Sequence, residues 1–309
     1  MDDAMLRMAA THGGVVTTAA ARALGWDKRA LREAVRSGAL HDLGRSLYVV
    51  PTPDLQTTEG KHKALCRGGL LLYPDAVLSR TSAVLAHELP VHGVDLSRVW
   101  LQRAVTSEVI TQSFVIRPKT DATVCSTDLG SATTPALAII QMTLDHGIVA
   151  GVVAADQALH TAKITSEELR RVAGTVSGWP HSARVTTMLS LMDGRSESVG
   201  ESRLRIDLSV AGIPVIPQQV VLDNEKCFVA RVDFGVEGTN VLIEFDGLVK
   251  YREGGANTLI AEKAREDRLR RLGYVIVRVT WAELQRPQLV LFRIRQAMAD
   301  AAGARGPAA

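Results

Sequence analysis

Three carboxylates in the last third of the chain, Asp233, Glu244 and Asp246, have the types and spacing for metal-assisted chemistry. In the run from Val241 to Asp246, side chains of a strand alternate, so Val241, Ile243 and Phe245 face one way and Glu244 and Asp246 the other. Asp233 is an acid between Val232 and Phe234, in the apolar run that precedes it, and Glu201 lies upstream as a fourth acid. Such a set of hard oxygens suits Mg²⁺ or Mn²⁺, which polarises a phosphodiester and generates hydroxide from bound water. Without a cation the acids repel one another. A competing role stays open, in which the acids are ion-pair partners of the nearby Arg231, Arg252, Arg265 and Arg268.

A second group is cationic. Lys28, Arg32 and Arg36 recur at i, i+4 and i+8 beside Arg29, while Leu31, Ala34 and Val35 take the opposite side, so a helix here is basic on one face and apolar on the other. Such a face suits the phosphates of duplex DNA, and Arg45 in a following glycine turn adds a fifth cation. Other candidates are weaker. His87 and His92 flank Glu88, but Pro90 breaks any helical i, i+4 pair of ligands. His146 and His160 are read as packing or surface residues. No glycine-rich phosphate loop and no nucleophile elbow is present, which leaves nucleotide hydrolysis and esterase chemistry without an anchor.

The elements that must position these residues follow from caps and periodicity. Thr17 or Thr18 caps a short helix from Ala19 to Leu24 that stops at Gly25, and Asp27 caps a second from Lys28 to Ser37 that stops at Gly38. Strands at Leu40 to Leu43 and Ser46 to Val50 around Gly44-Arg45 complete a winged helix-turn-helix. Pro51 to Thr58 reads as a linker. The middle region reads as mostly helical: Lys61 to Leu72, Asp75 to Leu89, Pro135 to Gly147, Val149 to Thr161 and Ser166 to Ala173, with strands at Val99 to Val105 and Phe114 to Arg117. From Ser196 the order is helix, three strands as an antiparallel meander, helix, strand: Glu201 to Val210, Gln218 to Leu222, Cys227 to Phe234, Val241 to Phe245, Leu259 to Leu272 and Tyr274 to Val279. Trp281 reads as a packing lid.

Composition agrees with folded domains: 46% hydrophobic and 22% charged residues lie outside the range of disorder. Aromatics at 4% are too few for platforms that stack single-stranded nucleic acid. Cys66, Cys125 and Cys227 are odd in number and scattered, matching neither a disulfide framework nor a zinc site. A net charge of +3 permits nucleic acid without arguing for it. The acidic opening Met1-Asp2-Asp3 and the lack of a long apolar run predict a cytoplasmic chain that makes no use of a membrane.

The pattern His12-Gly13-Gly14-Val15-Val16-Thr17, Ala21-Arg22-Ala23-Leu24-Gly25 and Ser46-Leu47-Tyr48-Val49 resembles the winged helix at the start of AbiEi-type antitoxins. The segments Gly200 to Arg205, Ala230 to Phe234, Ile243 to Gly247, Glu262 to Asp267 and Arg278 to Thr280 together resemble the DUF559 family, in the Vsr-like branch of the PD-(D/E)XK nucleases. That second resemblance implies a restriction-endonuclease-like αβββαβ core with Glu201, Asp233 and Glu244 as metal-site acids. One departure matters: Asp246 stands where the nuclease motif usually has lysine, and no histidine follows His181. Lys250 or Lys263 would then have to orient the attacking water.

The expected fold is multidomain α+β, with a winged helix over residues 1–52, a mostly helical middle region over 57–190 and the endonuclease-like core over 196–302. Two functions are expected, with RNA as substrate a weaker third. One is a DNA-binding, Mg²⁺- or Mn²⁺-dependent endonuclease-like protein of repair or defence. The other is a non-catalytic antitoxin or repressor of a toxin-antitoxin system, with duplex DNA, a cognate toxin and a second copy of the chain as partners.

Overall fold

A computed structural model describes residues 1–44, 46–120, 123–247 and 256–304, with side chains from 261 to 303 in the last stretch. The chain divides into two compact units, one of residues 1–158 and 162–190, the other of residues 159–161 and 191–309. Both mix helices with sheet.

The first unit opens with α1 (Asp3–Thr11), β1 (Val15–Thr17), α2 (Thr18–Ala23), α3 (Lys28–Arg36), β2 (His41–Gly44) and β3 (Leu47–Val49). The caps are those expected: Thr17 Oγ1 accepts from the Ala20 amide at 3.0 Å and Asp27 Oδ1 from that of Ala30 at 2.7 Å. Gly25 and Gly38 close the two helices with φ of 83° and 76°, a left-handed backbone that favours glycine. The strands form a small antiparallel sheet in the order β1, β3, β2. Met5, Ala9, Val16, Ala21, Leu31, Ala34 and Leu40 make the core beneath it.

After a short 3-10 turn at Pro53–Gln56 come α4 (Thr58–Leu72), β4 (Val77–Leu78), α5 (Arg80–Ala86), β5 (Val99–Arg103), β6 (Val109–Ile110), β7 (Phe114–Pro118), β8 (Val124–Thr127) and β9 (Gly130–Thr133). Then follow α6 (Pro135–His146), α7 (Ile148–His160), α8 (Ser166–Gly174) and α9 (Ser182–Leu191). The reading of Asp75 to Leu89 as one helix is corrected: its first apolar residues form β4, which pairs with β5 and, in parallel, with β9 through Leu78 and Ala132. A mixed six-stranded sheet in the order β6, β7, β5, β4, β9, β8 therefore runs through a region expected to be mostly helical. Helix α4 lies between the two sheets. A β-carbon on Gly68 would stand 2.6 Å from Leu47 of β3, and one on Gly69 2.8 Å from Phe114 of β7, so glycine lets both neighbours close in.

The second unit contains α10 (Val199–Val210), β10 (Val215–Leu222), β11 (Phe228–Val236), β12 (Val241–Asp246), α11 (Ala256–Arg271), β13 (Val275–Thr280), α12 (Trp281–Leu284) and α13 (Pro287–Ala304). Strands β10, β11 and β12 form the antiparallel meander, and β13 joins β12 in parallel. One face of the sheet packs Phe234, Ile243, Phe245 and Val279 with Leu204 and Leu208 of α10 and Ile294 of α13. The other packs Val221, Ala230, Val232 and Leu242 with Leu269 of α11. Trp281 is a packing residue, meeting Phe245 edge to face at 5.2 Å.

Candidate functional site

The basic helix is built as a surface. Leu31 and Ala34 of α3 are buried, whereas Lys28, Arg29, Arg32 and Arg36 are exposed. Arg36 has a loose contact with Glu33 at 3.6 Å, both side chains being largely solvated. Lys28, Arg29 and Arg32 make no ion pair among the described residues. Three cations thus remain available to phosphate. Arg22 of α2 is a further exposed cation that the sequence reading passed over; its place in the last turn of a helix followed by Gly25 was the signal. Arg45 lies outside the described residues.

The acids of the second unit are spread over three elements, each held by protein partners. Glu201 sits in the first turn of α10, 7% exposed. Its Oε1 accepts from Ser198 Oγ at 2.7 Å, and its Oε2 accepts from the Glu197 amide at 2.9 Å and from Gln218 Nε2 at 3.1 Å. Ser198 is the N-cap of the helix, its Oγ accepting the Glu201 amide at 3.2 Å, and the Glu201 carboxylate ties the preceding Glu197 amide to the same point. Gln218 has a φ of 53° and falls between Pro217 and Gln219, which pair with Phe234 and Val232. It therefore stands across from Asp233, and Glu201 is tied to that point of the sheet.

Asp233 marks the place where β11 leaves β12. Backbone pairing joins Phe234 to Ile243 and Gly235 to Leu242. At the next step Asp233 Oδ2 accepts the Phe245 amide at 2.6 Å, so a carboxylate takes the place of a backbone carbonyl. This brings the Asp233 head to the strand segment that carries Glu244 and Asp246. Glu244 points to the α11 side, where Arg265 Nη2 lies 2.7 Å from Oε1 and Arg278 Nε 3.6 Å from Oε2. Arg278 is the residue paired with Glu244 in the parallel β12–β13 register, and it also holds Glu262 and Glu266 of α11 at 3.0 Å each. Asp246, in register with Thr280, is partly buried. Lys263 is exposed on α11 and bonds to none of these acids, and Lys250 lies outside the described residues.

The other expected partners are distributed differently. Arg231 pairs with Glu197 at 2.9 Å and Arg268 with Asp223 at 2.7 Å. Asp223 is held below the usual carboxylate range by the Cys227 amide and Arg268. Among the described residues no three His, Cys, Asp or Glu side chains come together as a set that could hold a metal ion. With Glu201 engaged in its cap and Glu244 under two guanidinium groups, these side chains do not fit a cation as they stand.

Residues 3–51 match the family described as transcriptional regulator, AbiEi antitoxin. No curated protein matches the chain. No described helix is long and apolar enough to cross a membrane.

Proposed function

We propose that this chain is a DNA-binding transcriptional regulator of the AbiEi antitoxin kind. In this reading the first fifty residues are a winged helix-turn-helix, and α3 is the helix offered to the major groove. The observation that carries it is the exposed row of Lys28, Arg29 and Arg32, without carboxylate partners among the described residues, on a helix whose other face is locked by Leu31 and Ala34. The likeness of residues 3–51 to the antitoxin family supports the same reading. Arg22 and Arg36 extend the cationic surface. Duplex DNA is the primary partner, and a cognate toxin and a second copy of the chain are the expected protein partners.

A second reading is DNA cleavage by the second unit as a restriction-endonuclease-like core. The observation in its favour is the Asp233 carboxylate lodged on the Phe245 amide, between Glu244 and Asp246. It requires Glu201 to leave its cap and Arg265 and Arg278 to release Glu244, with Mg²⁺ or Mn²⁺ taken up in their place and Lys250 or Lys263 serving the water. The regulator reading requires none of these changes and is preferred.

Both are tested by incubating the purified chain with supercoiled plasmid and with a duplex taken from upstream of its own coding region. Retention of the duplex without nicking in Mg²⁺, Mn²⁺ or EDTA is the expected result. Metal-dependent nicking that disappears in Glu244→Ala would establish the cleavage reading instead.

A further inference from the structure

We propose that the cleft between α6 and α8 in the first unit is a binding site for a small aromatic molecule carrying one anionic group. The cleft encloses about 450 Å³, within the roughly 300–1,000 Å³ of small-molecule sites. Its walls are apolar where Leu137 of α6 and Val172 and Val176 meet, and polar at a few fixed points.

The first fixed point is Gln141, 1% exposed and part of the lining. The Arg80 amide donates to its Oε1 at 3.3 Å. A backbone N–H can only donate, so the side-chain oxygen is committed to Arg80 and the Nε2 hydrogens are left over. Nε2 has no protein acceptor among the described residues. Nε2 therefore keeps some contact with solvent on the cleft side, where an acceptor atom on a ligand would take the place of water.

The second is Trp179, an exposed indole that stacks on no other ring among the described residues and forms one side of the cleft. An aromatic ligand would cover it. The third is Arg171, exposed on the lining and without a carboxylate partner among the described residues, so that a carboxylate or sulfonate would meet a free guanidinium. Glu168, one turn earlier on α8, also lines the cleft and disfavours a second anionic group. The site is independent of the DNA-binding reading.

Two probes of this chemistry, 1-anilinonaphthalene-8-sulfonate and 1-naphthoate, would be titrated into the full chain while following fluorescence. Each is expected to bind at one saturable site, with affinity lowered about tenfold in Arg171→Ala, roughly the loss of one charge-assisted contact. Energy transfer to the sulfonate probe is expected to fall sharply in Trp179→Ala. Both residues are exposed, so neither variant threatens the fold. Phe292→Ala, at an exposed phenyl ring in the second unit, should bind as the parent does. Absence of saturable binding, unchanged affinity in Arg171→Ala, unchanged transfer in Trp179→Ala, or loss of binding in Phe292→Ala would each overturn the proposal.

Discussion

Gly68 of α4 and Leu47 of β3 are in such close contact that a β-carbon on the glycine would stand 2.6 Å from the leucine Cδ1. The strand that closes the proposed wing is therefore seated directly on the first long helix of the middle region. Leu47 is fully buried there, which ties the position of the small sheet to the packing of α4.

Gly68→Val is accordingly expected to destabilise the chain by about 1–3 kcal/mol, the usual cost of forcing extra carbons into a packed contact. Thermal unfolding followed by circular dichroism checks this. An unchanged midpoint would mean that α4 and β3 are not packed as described.

The Glu201 carboxylate is a buried acceptor that ties the Ser198 cap and the Glu197 amide to Gln218 of β10. Glu201→Ala should lower stability by about 1–2 kcal/mol, since Ser198 Oγ, the Glu197 amide and Gln218 Nε2 all lose their acceptor. Glu201→Gln keeps an acceptor oxygen and should recover part of the loss. Equal unfolding midpoints for the parent and the alanine variant would contradict this role of the carboxylate.

Helix ends were readable from sequence because caps are local: Thr17, Asp27, Gly25 and Gly38 act within a few residues of themselves. The Ser198 cap of α10 is local in the same way, whereas the bond from Gln218 to Glu201 spans 17 residues and depends on the fold. Strand β4 was not readable. Val77 and Leu78 are apolar residues that suit a helix as well as a strand, and only their distant partners Gln102, Leu101 and Ala132 decide between the two. The partners of Glu244 divide along the same line. Arg265 was open as an ion-pair partner because it follows on the next helix, whereas Arg278 required the parallel register of β12 and β13. The cleft at Gln141 leaves no trace in sequence, because its amide is turned toward the lining only by the fold, once Arg80 has claimed the oxygen.

The buried His62 predicts a pH dependence. Its Nδ1–H donates to the Leu96 carbonyl at 2.8 Å, and its Nε2 accepts at 2.8 Å from Ser82 Oγ, which itself accepts the Trp100 amide, so the contacts suit the neutral ring. Burial pushes its pKa below the ordinary value, against the opposing pull of the Leu96 carbonyl. His87 and His146 are shifted the same way, also by burial. The unfolded chain then binds protons that the folded chain refuses. Stability from these groups is full above their ordinary pKa of about 6.5 and is lost as pH falls below it. Urea midpoints at pH 7.5 and 5.5 check the sign; a higher midpoint at pH 5.5 would refute it.

Arg265 is expected to hold Glu244 in place from α11. Arg265→Ala should lower the unfolding midpoint, because Glu244, with a side chain 14% exposed, keeps among the described residues only the longer contact to Arg278. Glu244→Gln added to Arg265→Ala should restore part of the loss by removing the charge. If the double variant is no more stable than the single, the ion pair is not what Arg265 contributes.

The most direct test of the DNA-binding reading is the salt dependence of affinity for duplex DNA, measured by fluorescence anisotropy for the parent and for Arg32→Ala with Arg36→Ala. Each phosphate contact contributes about 0.9 to the slope of log affinity against log salt, so the double variant should bind more weakly with a slope reduced by up to about 2. Affinity and slope equal to the parent's would remove α3 from the interface and contradict the account.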